Sequence, residues 1–158
     1  MFPIPWYVIF FISVPETFLI IQTGFSLFNI KVGWRVSIIV AIGMGLISCI
    51  LPRIPIIPGI TTVILIVFTG LAIAWLGKVE IVSSFIAVIC GAVITGSIEN
   101  FVTYAALRLL AKNVSDLSVH PWLNFAVFMP TLLLLTVILL LVRKHRWVLY
   151  DLSGERKL

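Results

Sequence analysis

Charged side chains are scarce in this sequence. Lys, Arg, Asp and Glu make up 11% of its 158 residues, and 61% of the residues are hydrophobic. A typical soluble domain carries about a quarter charged residues, so a chain of this composition cannot cover itself with a water-compatible surface. The sequence therefore predicts an all-α integral membrane protein, and one membrane domain accounts for its length.

Motifs for catalysis and cofactor binding are also missing. The sequence contains no Walker A loop, GxSxG elbow, HExxH helix or CxxC pair, and each of these would mark a definite chemistry. The two cysteines, Cys49 and Cys90, lie in apolar runs without His or Cys at metal-ligand spacing, so we interpret them as small buried residues. We expect a protein that is not an enzyme and has no cofactor and no metal site.

Five apolar runs predict a bundle of about five transmembrane helices. Their approximate bounds are residues 4–28, 34–51, 57–76, 81–107 and 122–142. Between the second and third runs, three prolines fall within seven residues, and proline cannot continue a helix. This segment predicts a stiff hairpin that includes Arg53, Pro55, Pro58 and Gly59. Residues 143–158 follow the last run as a basic tail.

The basic residues predict the orientation of the chain. With the C-terminus in the cytoplasm, eight Lys and Arg residues lie inside and three outside, as the positive-inside rule favours. Because these residues lie just beyond the helix ends, they favour contact with the lipid bilayer over nucleic-acid binding. The first basic residue is Lys31, so we expect no secretory signal and a retained first helix. Aromatic residues near the ends predict an interfacial belt: Trp6, Tyr7, Trp34, Trp75, Trp122 and Trp147.

Two acids, Glu16 and Glu99, lie inside predicted spans. A charged side chain at the bilayer centre costs about 2.5 to 3.5 kcal/mol on insertion scales, so such residues usually face a partner or a cavity. One hypothesis is that each acid binds a cation, relays a proton or meets a polar ligand. The other is that each is a neutral, hydrogen-bonded carboxyl that fixes helix packing. Hydroxyls accompany the acids at helical spacing, namely Ser13 and Thr23 in the first span and Thr95 and Thr103 in the fourth.

Small residues recur four positions apart and predict close helix contacts. Each of four glycines, Gly45, Gly70, Gly91 and Gly96, has an alanine four residues away. Gly91 and Gly96 fall on different faces of the fourth span, which predicts neighbours on two sides. We favour internal packing over the alternative, a seam between copies of the chain.

The basic tail begins with Arg143, Lys144, Arg146 and Trp147. Cations and an aromatic ring at the inner surface are typical of an anchor on anionic lipid. The alternative is a docking segment for a partner protein.

The order of these features resembles a known family. It is similar to the N-terminal multi-pass sensor module of Gram-positive GHKL-type histidine kinases, related in style to peptide quorum-sensing receptors. The likeness runs across nearly the whole chain and depends on Phe11 to Thr17, Trp34-Arg35, the Arg53, Pro55 and Pro58-Gly59 hairpin, Glu99, Pro121-Trp122 and Met129-Pro130.

The resemblance implies a location in the bacterial cytoplasmic membrane and a role in signal transduction. In that family a cytoplasmic ATP-binding kinase part follows the helices, whereas here residues 143–158 follow the last span. We therefore expect a sensor-like or regulatory module that binds a small or peptide signal and acts through a cytoplasmic or membrane partner. The alternatives are a self-associating structural subunit, which would be a homo-oligomer, and a small solute or ion transport component.

Overall fold

The computed structural model describes residues 6–50, 60–110 and 121–152. Within these ranges every element of secondary structure is an α-helix, which confirms the predicted all-α class for the described part. The predicted hairpin residues Arg53, Pro55, Pro58 and Gly59 lie outside the described residues. The five helices are α1 (Trp6–Leu27), α2 (Trp34–Ile50), α3 (Ile60–Gly77), α4 (Ile81–Leu109) and α5 (Pro121–His145).

Four of these helices are long and apolar enough to cross a membrane. The exception is α2, whose 17 residues span about 25 Å at the usual helical rise, less than the hydrocarbon core of about 30 Å. Many large apolar side chains point outward, including Trp75 and Phe101, which are 82% and 75% exposed. A surface of this kind suits contact with lipid. By the length and composition of its helices, the chain is a multi-pass membrane protein.

The last helix begins and ends differently from the predicted bounds of 122–142. It begins at Pro121 and continues through Arg143, Lys144 and His145. Proline suits the first helical position, where its missing N–H costs nothing, and cations in the last turn interact favourably with the helix dipole. The first three residues of the predicted tail therefore belong to α5.

Helix α1 makes the most extensive contacts in the bundle, and α4 also packs against three other helices. Helix α1 packs against α2, α4 and α5, and α3 packs against α2 and α4. The main hydrophobic core lies towards the C-terminal end of α1, where Ile21, Phe25, Ile73 and Val88 are almost completely buried. We call this end of the bundle the tail-side end, because α5 also finishes there.

Two glycines bring α1 and α4 into direct backbone contact. A β-carbon added at Gly24 would overlap the carbonyl oxygen of Ala87, and one added at Gly91 would overlap that of Ile20. Since backbone atoms cannot move aside independently, only glycine allows this approach. Gly24 has no small residue four positions away, so the pattern that identified Gly91 missed it.

The other three predicted packing glycines have different surroundings. A β-carbon at Gly45 would lie 2.5 Å from the Val14 side chain, and one at Gly70 would lie 3.1 Å from the Phe85 ring. Gly96, in contrast, would place its β-carbon more than 4 Å from any other described group. Gly45 and Gly70 thus face neighbouring helices, and Gly96 faces open space.

The chain after α5 folds back onto the end of α1. A turn at Arg146, with a φ of 49°, brings the Leu149 N–H to the Leu27 carbonyl at 2.8 Å and the Leu152 N–H to the Phe28 carbonyl at 3.2 Å. These bonds satisfy carbonyls that the helix end would otherwise leave unpaired. The tail up to residue 152 is therefore docked against the bundle.

Candidate functional site

The two membrane-embedded acids meet between α1 and α4. Glu16 precedes Gly24 by eight residues and Glu99 follows Gly91 by eight residues, so both acids lie on the same side of the close helix contact. Their half-buried side chains line the same cavity and lie close enough for their charges to interact. Two carboxylates this close would repel each other, and a proton shared between them would remove one of the two charges.

A cavity of about 310 Å³ lies beside this pair, among residues of α1, α2, α3 and α4. We call it the acid cavity. Apolar side chains such as Met44, Leu65 and Val88 form part of its wall. Its polar lining consists of Ser13, Glu16, Thr17, Thr62, Thr69, Glu99 and Asn100.

Hydrogen bonds fix some of the polar groups in this lining. The Ser13 hydroxyl donates to the Ser48 hydroxyl at 3.0 Å, which ties α1 to α2. The Asn100 amide donates to the Gly96 carbonyl at 2.8 Å, and this bond leaves the side-chain oxygen of Asn100 as a further acceptor. Carboxyl, hydroxyl and amide oxygens together suit a ligand that carries a positive charge or several hydrogen-bond donors.

Glu99 also borders a second cavity, of about 170 Å³, on its other side. Thr103 and Asn124 supply the remaining polar groups there, and Phe128 of α5 is part of the apolar wall. One carboxyl therefore faces two separate spaces. Within the described part of the chain, no group of three or more His, Cys, Asp or Glu side chains could hold a metal ion.

The sequence-predicted polar residues separate into two sets. Ser13, Glu16 and Glu99 line the acid cavity, and Thr103 lines the smaller one. Thr23 and Thr95 line neither; they are 1% and 0% exposed, and their hydroxyls have no hydrogen-bond partner among the described residues. Both lie closer to the Gly24–Gly91 contact, where the two helices approach too closely to leave a space.

Several lining residues were not predicted from the sequence. Thr17, Thr62, Thr69 and Asn100 are polar residues within apolar runs. This position was the only feature of the sequence that could have marked them as lining residues. Spacing along one helix could not find Thr62 and Thr69, because they reach the acids from α3. The pairing of the two acids with each other was also not predicted.

The predicted contact residues of the tail differ in their surroundings. Arg143, Lys144 and Arg146 are all exposed, but the Arg143 guanidinium also donates a hydrogen bond to the side-chain oxygen of Gln22. Trp147 is 60% exposed, and its ring lies 5.7 Å from that of His145. Arg143 therefore interacts with the bundle itself, while Lys144 and Trp147 face outward.

Similarity to known proteins adds no assignment to this geometry. No protein-family model matches the chain, and no curated protein or solved structure matches it significantly.

Proposed function

We propose that this chain is a non-catalytic, sensor-like membrane module that binds a small polar ligand in the acid cavity and acts through a partner protein. The main support is the meeting of Glu16 and Glu99, which come from different helices and line the same cavity. Two acids inside a membrane are costly. A binding role gives a reason to keep them together.

The shape and chemistry of the cavity define the proposed ligand. Its volume of about 310 Å³ lies at the lower limit of small-molecule pockets, so it suits a small compound or a single side chain of a peptide. A primary ammonium group would replace the shared proton between the two carboxyls and would gain charge-assisted hydrogen bonds. Binding of such a ligand would release that proton.

The proposed orientation places the acid cavity in the outer half of a bacterial cytoplasmic membrane. Lys31, Arg35 and Lys78 lie with the tail cations at the opposite, tail-side end of the bundle, where the positive-inside rule favours the cytoplasm. A ligand would then enter from outside, and the tail would meet the partner inside. We include α2 as a fifth span in this proposal.

Helix α1 provides a physical connection between the two ends. It carries Glu16 in the acid cavity and Gln22 beside Arg143, and its last carbonyl accepts a hydrogen bond from the tail. A ligand changes the tail only if it binds two states of the bundle with different affinity. A shift of α1 when a ligand comes between Glu16 and Glu99 would supply such a difference.

Chemical labelling tests whether the acids form a protonated pair. An apolar carbodiimide reacts with protonated carboxyls in membranes, so we expect it to modify Glu16 or Glu99 in the full chain, as detected by mass spectrometry. Glu16→Gln combined with Glu99→Gln should remove this labelling, whereas Glu80→Gln, which changes an exposed acid bonded to Ser83, should not. Absence of label from both acids in the wild-type chain would contradict a shared proton.

Filling the cavity tests ligand binding separately from folding. We expect a series of primary ammonium compounds to protect the acids from the carbodiimide and Gly96→Val to weaken this protection, because Gly96 lines the acid cavity. Gly43→Val is the matched control, since an added β-carbon at Gly43 also has nothing within 4 Å. Equal protection in both variants, with labelling retained, would argue against this cavity as the binding site.

Crosslinking in native membranes, followed by mass spectrometry, tests the partner. A heterologous partner whose crosslinking yield changes with Glu16→Gln supports the sensor proposal. A ladder that contains only this chain favours the structural-subunit alternative instead.

Transport is a second candidate, because Glu99 borders both cavities. A carboxyl that reaches two spaces is suited to pass a proton or small cation between them. In proteoliposomes this function predicts a cation or proton flux that falls with Glu99→Gln and not with Glu80→Gln. A wild-type flux no larger than that of empty liposomes would exclude it.

A further inference from the structure

A larger cavity, of about 560 Å³, lies at the tail-side end of the bundle. It is formed by the end of α1, the connection to α2, the end of α5 and the start of the tail. Among the described residues no carboxylate lines it. Its charged and polar lining consists of Lys31, Arg143, Arg146, Gln22, Ser26 and Asn29.

One of these cations is positioned by a buried network. Gln22 is only 4% exposed, and its side-chain oxygen accepts the hydrogen bond from Arg143. Its amide group donates to the Ser37 hydroxyl at 2.7 Å, and Ser37 in turn donates to the Gly33 carbonyl at 3.4 Å. Arg143 is thus held at the wall of the cavity by Gln22 of α1, and Gln22 is in turn fixed by its bond to Ser37 of α2.

The folded-back tail completes the cavity. The turn at Arg146 places Val148 in the wall, and the bond from the Leu149 N–H to Leu27 holds the tail there. The Asn29 amide donates to the Asp151 carboxylate at 3.2 Å. Asp151 is exposed and is not part of the cavity lining.

We propose that this cavity binds the phosphate group of a phosphorylated ligand. Arginine guanidinium groups match phosphate oxygens in pairs, and further donors come from the amide and hydroxyl groups of the lining. The volume exceeds that of a single phosphate ion and suits a phosphate with an attached polar group. Such a group is supplied either by a phospholipid headgroup at the membrane surface or by a soluble phosphate ester. This site is independent of the acid cavity and of the sensor proposal.

Binding to the delipidated full chain in a neutral detergent tests the proposal. The probes are phosphatidylglycerol, its water-soluble headgroup glycerophosphoglycerol, inorganic phosphate, and diacylglycerol as a lipid without phosphate. We expect Arg146→Gln to weaken binding of phosphatidylglycerol about five-fold, the effect of one cation near a membrane surface. Native mass spectrometry measures the bound fraction, and circular dichroism checks that the variant keeps its helices.

Lys144→Gln is the matched control, because Lys144 is a neighbouring exposed cation outside the cavity lining. We expect it to change binding less than about two-fold. Binding of phosphatidylglycerol alone, with the Arg146-specific loss, assigns the site to phospholipid; the same loss with glycerophosphoglycerol or phosphate assigns it to a soluble phosphate. Equal weakening by Arg146→Gln and Lys144→Gln, or binding of diacylglycerol as tight as that of phosphatidylglycerol, would overturn the proposal.

Discussion

The two halves of the bundle differ in how closely α1 and α4 approach each other. Near the tail-side end, Gly24 and Gly91 bring the two backbones into contact, and large apolar side chains of the main core pack around this contact. Towards the other end, Glu16 and Glu99 are separated from this contact by about two helical turns, and the acid cavity lies beside them. Helices α1 and α4 thus form a tight contact near Gly24 and Gly91 and border a polar space near Glu16 and Glu99.

Gly91 and Gly96 show most directly what this difference means. They lie five residues apart on α4, and each has an alanine four residues before it. At Gly91 any side chain would collide with α1. At Gly96 the lack of a side chain leaves part of the acid cavity open. A repeated small-residue pattern therefore does not by itself indicate a packing contact.

The substitution that best separates the two glycines is alanine. We expect Gly91→Ala to lower the free energy of unfolding by about 1 to 3 kcal/mol, as overpacking does, because the new methyl group meets the Ile20 backbone. Gly96→Ala should change it by less than about 0.5 kcal/mol. Unfolding in detergent, monitored by circular dichroism, measures the free energy of unfolding of both variants. Equal losses would show that the space around the two glycines does not differ.

A smaller effect is expected from the polar network at the tail-side end. Gln22→Leu removes the acceptor for Arg143 and the donor to Ser37, so we expect a loss of about 1 to 2 kcal/mol, the usual cost of unpaired buried groups. Ser97→Ala is a control, since its hydroxyl makes an exposed bond within one helix. The same unfolding assay compares them, and a Gln22→Leu chain as stable as the wild type would mean that the network does not stabilise this half.

The smallest effect concerns the docked tail. Asp151→Ala removes the acceptor for the Asn29 amide, so we expect the amide protons of Leu149 and Leu152 to exchange roughly two- to five-fold faster, as for one weak hydrogen bond. Lys144→Ala should leave their exchange unchanged. Hydrogen–deuterium exchange with mass spectrometry gives both rates, and unchanged exchange in Asp151→Ala would show that backbone bonds alone hold the tail.

Several particular features could be predicted from the sequence, and others could not. The long apolar runs predicted the helices, and the position of Glu16 and Glu99 inside those runs marked them as candidate site residues. Helical spacing also predicted Thr23 and Thr95 as neighbours of these acids. Spacing along one helix, however, does not show how close the neighbouring helix lies. Both threonines are buried close to the Gly24–Gly91 contact, and Thr62 and Thr69 of α3 line the acid cavity instead.

The sequence by itself determined that this chain forms apolar helices, and the order of those helices places most of its cations at one end. Composition and local spacing are enough to determine these two features. The free-energy cost of placing an unpaired backbone group or a charge in the membrane depends mainly on the individual residue. Only the tertiary structure decided that Glu16 meets Glu99, that Arg143 is held by Gln22, and that Gly96 opens into a cavity. Each of these features depends on the distance between two helices. That distance is set by the packing of the whole bundle, so no single segment of the sequence determines it.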